Sequence, residues 1–135
     1  MLADVSVNWL AILVAAVVNM VLGALWYAPF LFGKAWMEEM GDKVKEMKPS
    51  PARLLGMFII ALGIGYIMTH FVAYAGAADF AMGMETGIWA ALGFTVLTAA
   101  SATFAADGSW KLWLINNGYW VVSLALMGGV LASMH

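Results

Sequence analysis

Apolar residues dominate four stretches of the chain, at about 7–27, 54–74, 87–106 and 112–133, and none of them contains Asp, Glu, Lys or Arg. A helix rises about 1.5 Å per residue and needs about 20 mostly apolar residues to cross a bilayer, so each stretch predicts a transmembrane helix. Breakers separate them. Pro29 closes the first stretch, Pro49-Ser50-Pro51 precedes the second, and Asp107-Gly108-Ser109 makes a tight turn between the third and fourth.

The first loop has a different period. Trp36, Met40, Val44 and Met47 recur at helical spacing, with Glu38, Glu39, Asp42, Lys43, Lys45 and Glu46 around them. That pattern predicts a short amphipathic helix at about 33–48. Lying on the membrane surface and packing on its own bundle both explain it, and docking a soluble partner is a third reading.

Composition supports the bilayer as solvent. Hydrophobic residues make up 64% of the 135 and charged ones 10%, with a mean hydropathy of +0.90. A soluble domain carries about 25% charged residues. The net charge of −2 and the scattered basic residues argue against a nucleic-acid partner. With no Cys, thiolate chemistry is excluded and disulfides with it. The first stretch, with no Lys or Arg before it and too long for a cleavable leader, is expected to remain as a membrane anchor.

The basic residues orient the chain. Lys34, Lys43, Lys45, Lys48 and Arg53 belong to the first loop or its edge and Lys111 to the third. By the positive-inside rule these two loops are cytoplasmic and both termini lie outside, in a multi-pass topology across a cell membrane. Trp9, Tyr74 and Trp89 then form an outer aromatic belt, and Trp26, Tyr27, Trp110 and Trp113 an inner one.

Helices in lipid associate where small residues let backbones approach. Each stretch offers such a stripe: Ala11, Ala15, Asn19, Gly23; Ala61, Gly65, Thr69, Ala73; Gly87, Ala91, Thr95, Ala99, Thr103; and Ala125, Gly129, Ser133. The expected fold is therefore all-α, a single domain of four transmembrane helices in a compact bundle with a short interfacial helix in the first loop.

Several of these residues are similar to those of a known family. Asn8-Trp9-Leu10-Ala11, Leu22-Gly23-Ala24-Leu25-Trp26-Tyr27-Ala28-Pro29 and Leu31-Phe32-Gly33-Lys34-Ala35-Trp36 resemble the N-terminal signature of the domain of unknown function 1761 family. Leu92-Gly93-Phe94, Leu114-Ile115-Asn116-Asn117-Gly118-Tyr119 and Met127-Gly128 resemble its C-terminal half. The resemblance implies a prokaryotic four-helix membrane protein and no known activity. Members of the family often have His after the Gly-Tyr pair. Trp120 stands there in this chain, so no role of such a His carries over.

Polar side chains inside the spans are the functional candidates. Asn19, Thr95, Thr98, Asn116, Asn117 and Ser123 form a candidate polar interior, with Thr95, Thr98 or Ser123 as the expected partner of Asn19. Asn8, His70 and Glu85 form a candidate cluster toward the outer face. Interhelical hydrogen bonding is one reading of the first group, at about 0.6 kcal/mol per bond; a polar lining for a small solute is the other. A lone His with Glu85 and Asp79 falls short of a metal site, and no heme or other cofactor is expected. Hydrolase, nucleotide-binding and metalloprotease motifs do not occur, so no catalytic residue is assigned and the chain is not expected to be an enzyme. The expected function is a structural or interaction component of the membrane, self-associating or part of a larger complex, with the lipid bilayer as its surroundings. The alternative is a conduit or carrier for a small neutral solute or protons. Two polar layers with an apolar gap between them favour the first.

Overall fold

The structure, a computed structural model, describes residues 4–46 and 50–134, apart from the side chains of 44–46. Its spans begin at side-chain caps. Asn8 accepts from the Ala11 N–H ahead of α1 (Trp9–Trp26), and Ser50 from Arg53 ahead of α3 (Pro51–Tyr74). Asp79 accepts from Met82 ahead of α4 (Phe80–Ala91), and Ser109 from Leu112 ahead of α6 (Trp110–Ser133). Each cap satisfies a helix-start N–H that has no intrahelical acceptor. Gly76, with φ +67, carries the chain out of α3 in the left-handed conformation that favours glycine.

α4 continues through a π-turn (Leu92–Val96) into α5 (Leu97–Ala105), so the third span is one interrupted helix. All four spans, Trp9–Trp26, Pro51–Tyr74, Phe80–Ala105 and Trp110–Ser133, are long and apolar enough to cross a membrane. This is an all-α, multi-pass membrane protein.

Three expectations change. The third helix begins at Phe80 rather than 87, because Asp79 caps it there, and Glu85 falls inside it. Arg53 and Lys111 likewise lie in the first turns of α3 and α6. The amphipathic helix predicted at 33–48 is broken: α2 (Gly33–Met40) stops at Gly41, whose φ of +60 ends the α-helix, and a 3-10 segment (Gly41–Glu46) follows. Met47 and Lys48 of that expected helix, and Pro49 after it, lie outside the described residues.

α6 is the centre of the bundle. Its best apolar window is 56% buried, against 6% for the third span. At the end of the bundle that carries the termini, α4 lies backbone to backbone on α6. A Cβ at Gly87 would overlap the Leu124 carbonyl, one at Gly83 or Gly128 would overlap the carbonyl of the other, and Ala91 is fully buried in the same line. α1 meets α3 there too, with the Ile12 side chain against Gly65. At the opposite end, where the first and third loops meet through a 2.5 Å hydrogen bond from Ser109 Oγ to Glu39, packing loosens. α5 has no buried residue, and none of residues 51–60 of α3 is buried. The bundle is closed at the terminal end and open at the loop end.

Candidate functional site

The polar residues gather along α1 and α6 toward the loop end. Asn19 is buried on the small-residue face of α1, and its Nδ2 donates to Ser123 Oγ of α6 at 2.7 Å. The Tyr119 hydroxyl donates to the Asn19 carbonyl at 2.9 Å. Its ring fits because residue 23 is glycine: a Cβ there would stand 3.2 Å from the Tyr119 hydroxyl. One turn on, Trp26 Nε1 donates to the Ile115 carbonyl at 3.0 Å, and its ring lies over Gly118, where a Cβ would be 3.1 Å away. The Tyr27 hydroxyl donates to Asn116 Oδ1 at 2.7 Å.

Each aromatic side chain thus enters the space left by a glycine on the facing helix, Tyr119 at Gly23 and Trp26 at Gly118. The rings of Tyr27 and Tyr119 come within 5.6 Å. Small residues permit this close approach, and in hydrocarbon the hydrogen bonds satisfy groups that have no water to turn to.

Local folding delivers the set. The chain leaves α1 at Tyr27 and turns sharply through Pro29, with Phe32 N–H returning to the Trp26 carbonyl and Gly33 N–H to that of Ala28. Gly33 is required there, because a Cβ would overlap the Tyr27 carbonyl and the Ala28 backbone. The turn places α2 against the bundle, with the Trp36 ring edge-on to Tyr27 at 5.7 Å.

The other candidates fall elsewhere. Asn117 is buried and donates to the Trp113 carbonyl on its own helix at 2.8 Å. Thr95 is half-buried between two open grooves, one toward α3 and one along α5. Thr98 is a correction: it is exposed and donates to the Phe94 carbonyl of its own helix at 2.6 Å, because the third span turns away from α6 beyond its π-turn. Toward the termini, Asn8 donates to the Met134 carbonyl. His70 Nδ1 lies 2.9 Å from the Tyr66 carbonyl with its ring between those of Tyr66 and Tyr74, while Glu85 lines a separate cleft with Tyr74 and Trp89. Asn8 and His70 bond to different partners, and Tyr74 borders both the His70 ring and the Glu85 cleft. Among the described residues, no group of three or more His, Asp or Glu is placed to hold a metal ion.

Sequence reasoning assigned Trp26 and Tyr27 to an interfacial belt and missed their bonds to α6. The available signal was the pairing of Gly23 with Tyr119 and of Trp26 with Gly118, a glycine and an aromatic in each segment. Gly83 was missed with the start of its helix, although Asp79 before an apolar run is an N-cap pattern.

Residues 10–132 match the family described as "Protein of unknown function (DUF1761)". Comparison with curated proteins and with solved structures gives no match.

Proposed function

The chain belongs to that family, and from this premise we propose that it is a structural or interaction component of the membrane rather than an enzyme or a conduit. The supporting observation is that its interior polar groups are engaged with one another. Asn19 is bonded to Ser123, Tyr119 to the Asn19 carbonyl, Tyr27 to Asn116 and Trp26 to the Ile115 carbonyl. Among the described residues, no buried side-chain nitrogen or oxygen lacks a hydrogen-bond partner. A conduit needs polar groups left free along a path, and most of these are closed into pairs, with the Asn116 amide N–H₂ left over at the loop end. The cavity that reaches Asn19 extends toward α2 and α3, whereas His70 sits edge-on between the rings of Tyr66 and Tyr74.

Self-association or a place in a larger complex belongs to the same reading. The unburied α5, with small residues beside its grooves, supports it. The proposed orientation has both termini outside a cell membrane and the first and third loops cytoplasmic, on the strength of the basic residues in those loops. The chain has no Cys, so single cysteines at Ala78 and Lys43 report cleanly: an impermeant thiol reagent should label the first in intact cells and spare the second. Labelling only at Lys43 reverses the orientation.

The functional test is flux. Vesicles carrying the purified protein should pass protons and small neutral solutes no faster than empty vesicles, at acid or neutral pH. A leak in the wild type that falls in Asn19→Leu overturns the reading in favour of the conduit.

A further inference from the structure

We propose that the loop-end cavity bounded by α1, α2, α3 and α6 is a binding site for a neutral amphiphile whose head carries hydrogen-bond-accepting carbonyl oxygens. The cavity has a volume of about 550 Å³, within the range of small-molecule sites, which combine apolar walls with a few placed polar groups.

Its polarity is one-sided. Asn19, Tyr27, Asn116 and Tyr119 contribute the polar groups, from α1, its following turn and α6. Trp36 and Met40 of α2 and Leu54 and Met57 of α3 contribute apolar walls. Among the described residues no charged side chain lines it, which favours a neutral ligand. Asn116 receives Tyr27 on Oδ1, and among the described residues no acceptor takes its Nδ2 hydrogens. An amide N–H₂ is a pure donor, so the matching ligand group is an acceptor. The rings of Tyr27, Trp36 and Tyr119 offer flat faces to an unsaturated head.

Water is a poor occupant. Trp36, Met40, Leu54 and Met57 offer water no hydrogen-bond partner over the wall that faces the polar side. An amphiphile satisfies both sides, its head on the α6 wall and its tail along α3. Leu54 and Met57 are each 56% exposed, so that wall borders the bilayer and a lipid-soluble molecule can enter from the side. This inference goes beyond the structural role above and does not depend on it.

An isoprenoid quinone and a glycerolipid ester share this chemistry, so two probes separate them. Purified protein in phosphatidylcholine nanodiscs is titrated with a short-tailed benzoquinone and, separately, with a monoacylglycerol, and bound ligand is counted by native mass spectrometry. One saturable site is expected for at least one probe, and the probe that saturates names the source. Ala24→Phe fills the cavity without touching its hydrogen bonds and should weaken binding at least tenfold. Asn116→Leu removes the free donors and should do the same, with circular dichroism checking that both variants keep the wild-type helix content. Absence of saturable binding to either probe, or unchanged binding in folded Ala24→Phe, overturns the proposal.

Discussion

The two halves of the third span carry the same kind of stripe and meet opposite fates. Gly83, Gly87 and Ala91 of α4 are buried against α6, while Thr95, Ala99 and Thr103 continue the spacing and are only half-buried. The difference lies in the partner. Opposite α4, α6 presents Leu124, Ala125, Gly128 and Ala132, a shallow groove into which another backbone fits. Beside α5 it presents Trp113, Asn116 and Trp120, whose bulk holds a helix off. A small-residue stripe is half of an interface. The facing helix decides whether it becomes a contact.

The strongest way to break this comparison is at Gly87. An alanine methyl there would overlap the Leu124 carbonyl, so backbones rather than side chains must move. The expected loss for Gly87→Ala is about 3 kcal/mol, the upper end for overpacked cores, read from reversible unfolding in mixed micelles. A loss below about 1 kcal/mol would mean the seam is loose.

A smaller effect sharpens the boundary between the halves. Trp113 Nε1 donates to the Val96 carbonyl at 3.1 Å, holding the π-turn to α6. Trp113→Phe should lower stability by about 0.5–1 kcal/mol, the net worth of one hydrogen bond. Hydrogen exchange should quicken in α5 and stay unchanged in α4. Equal quickening in both would show the span to be one cooperative unit.

The smallest effect is expected at Ala99, beside an open groove. Ala99→Leu should stay within about 0.5 kcal/mol of wild type, as ordinary for a site outside the core. A loss matching Gly87→Ala would place α5 against α6 in the bilayer and remove the contrast.

The four spans were legible because lipid imposes a crude demand: about 20 apolar residues without charge, bounded by Pro, Ser or Asp. That same demand concealed the start of the third span, since Glu85 looked like a boundary while a carboxylate near a helix end can still reach the interface. Ser123 was legible as one of three partners for Asn19, with Thr95 and Thr98, because a midplane amide has few possible partners. The bonds of Trp26 and Tyr27 were not, because an aromatic at a span's end suits both the interface and a glycine opposite. The π-turn left no pattern, as its residues, Leu92-Gly93-Phe94-Thr95-Val96, read like any lipid-compatible helix. Thr98 was misplaced for that reason: an unbroken helix was assumed where the span bends away.

The side-chain caps bear on biosynthesis. α6 contributes the centre of the bundle, yet it leaves the ribosome after α1, α3 and α4. α1, α3 and α4 therefore enter the bilayer before the surface they fold onto exists. Asn8, Ser50 and Asp79 give each of these earlier spans an acceptor for a helix-start N–H from its own sequence. The first three helices can wait in lipid as finished pieces, and arrival of the fourth turns three neighbours into one fold.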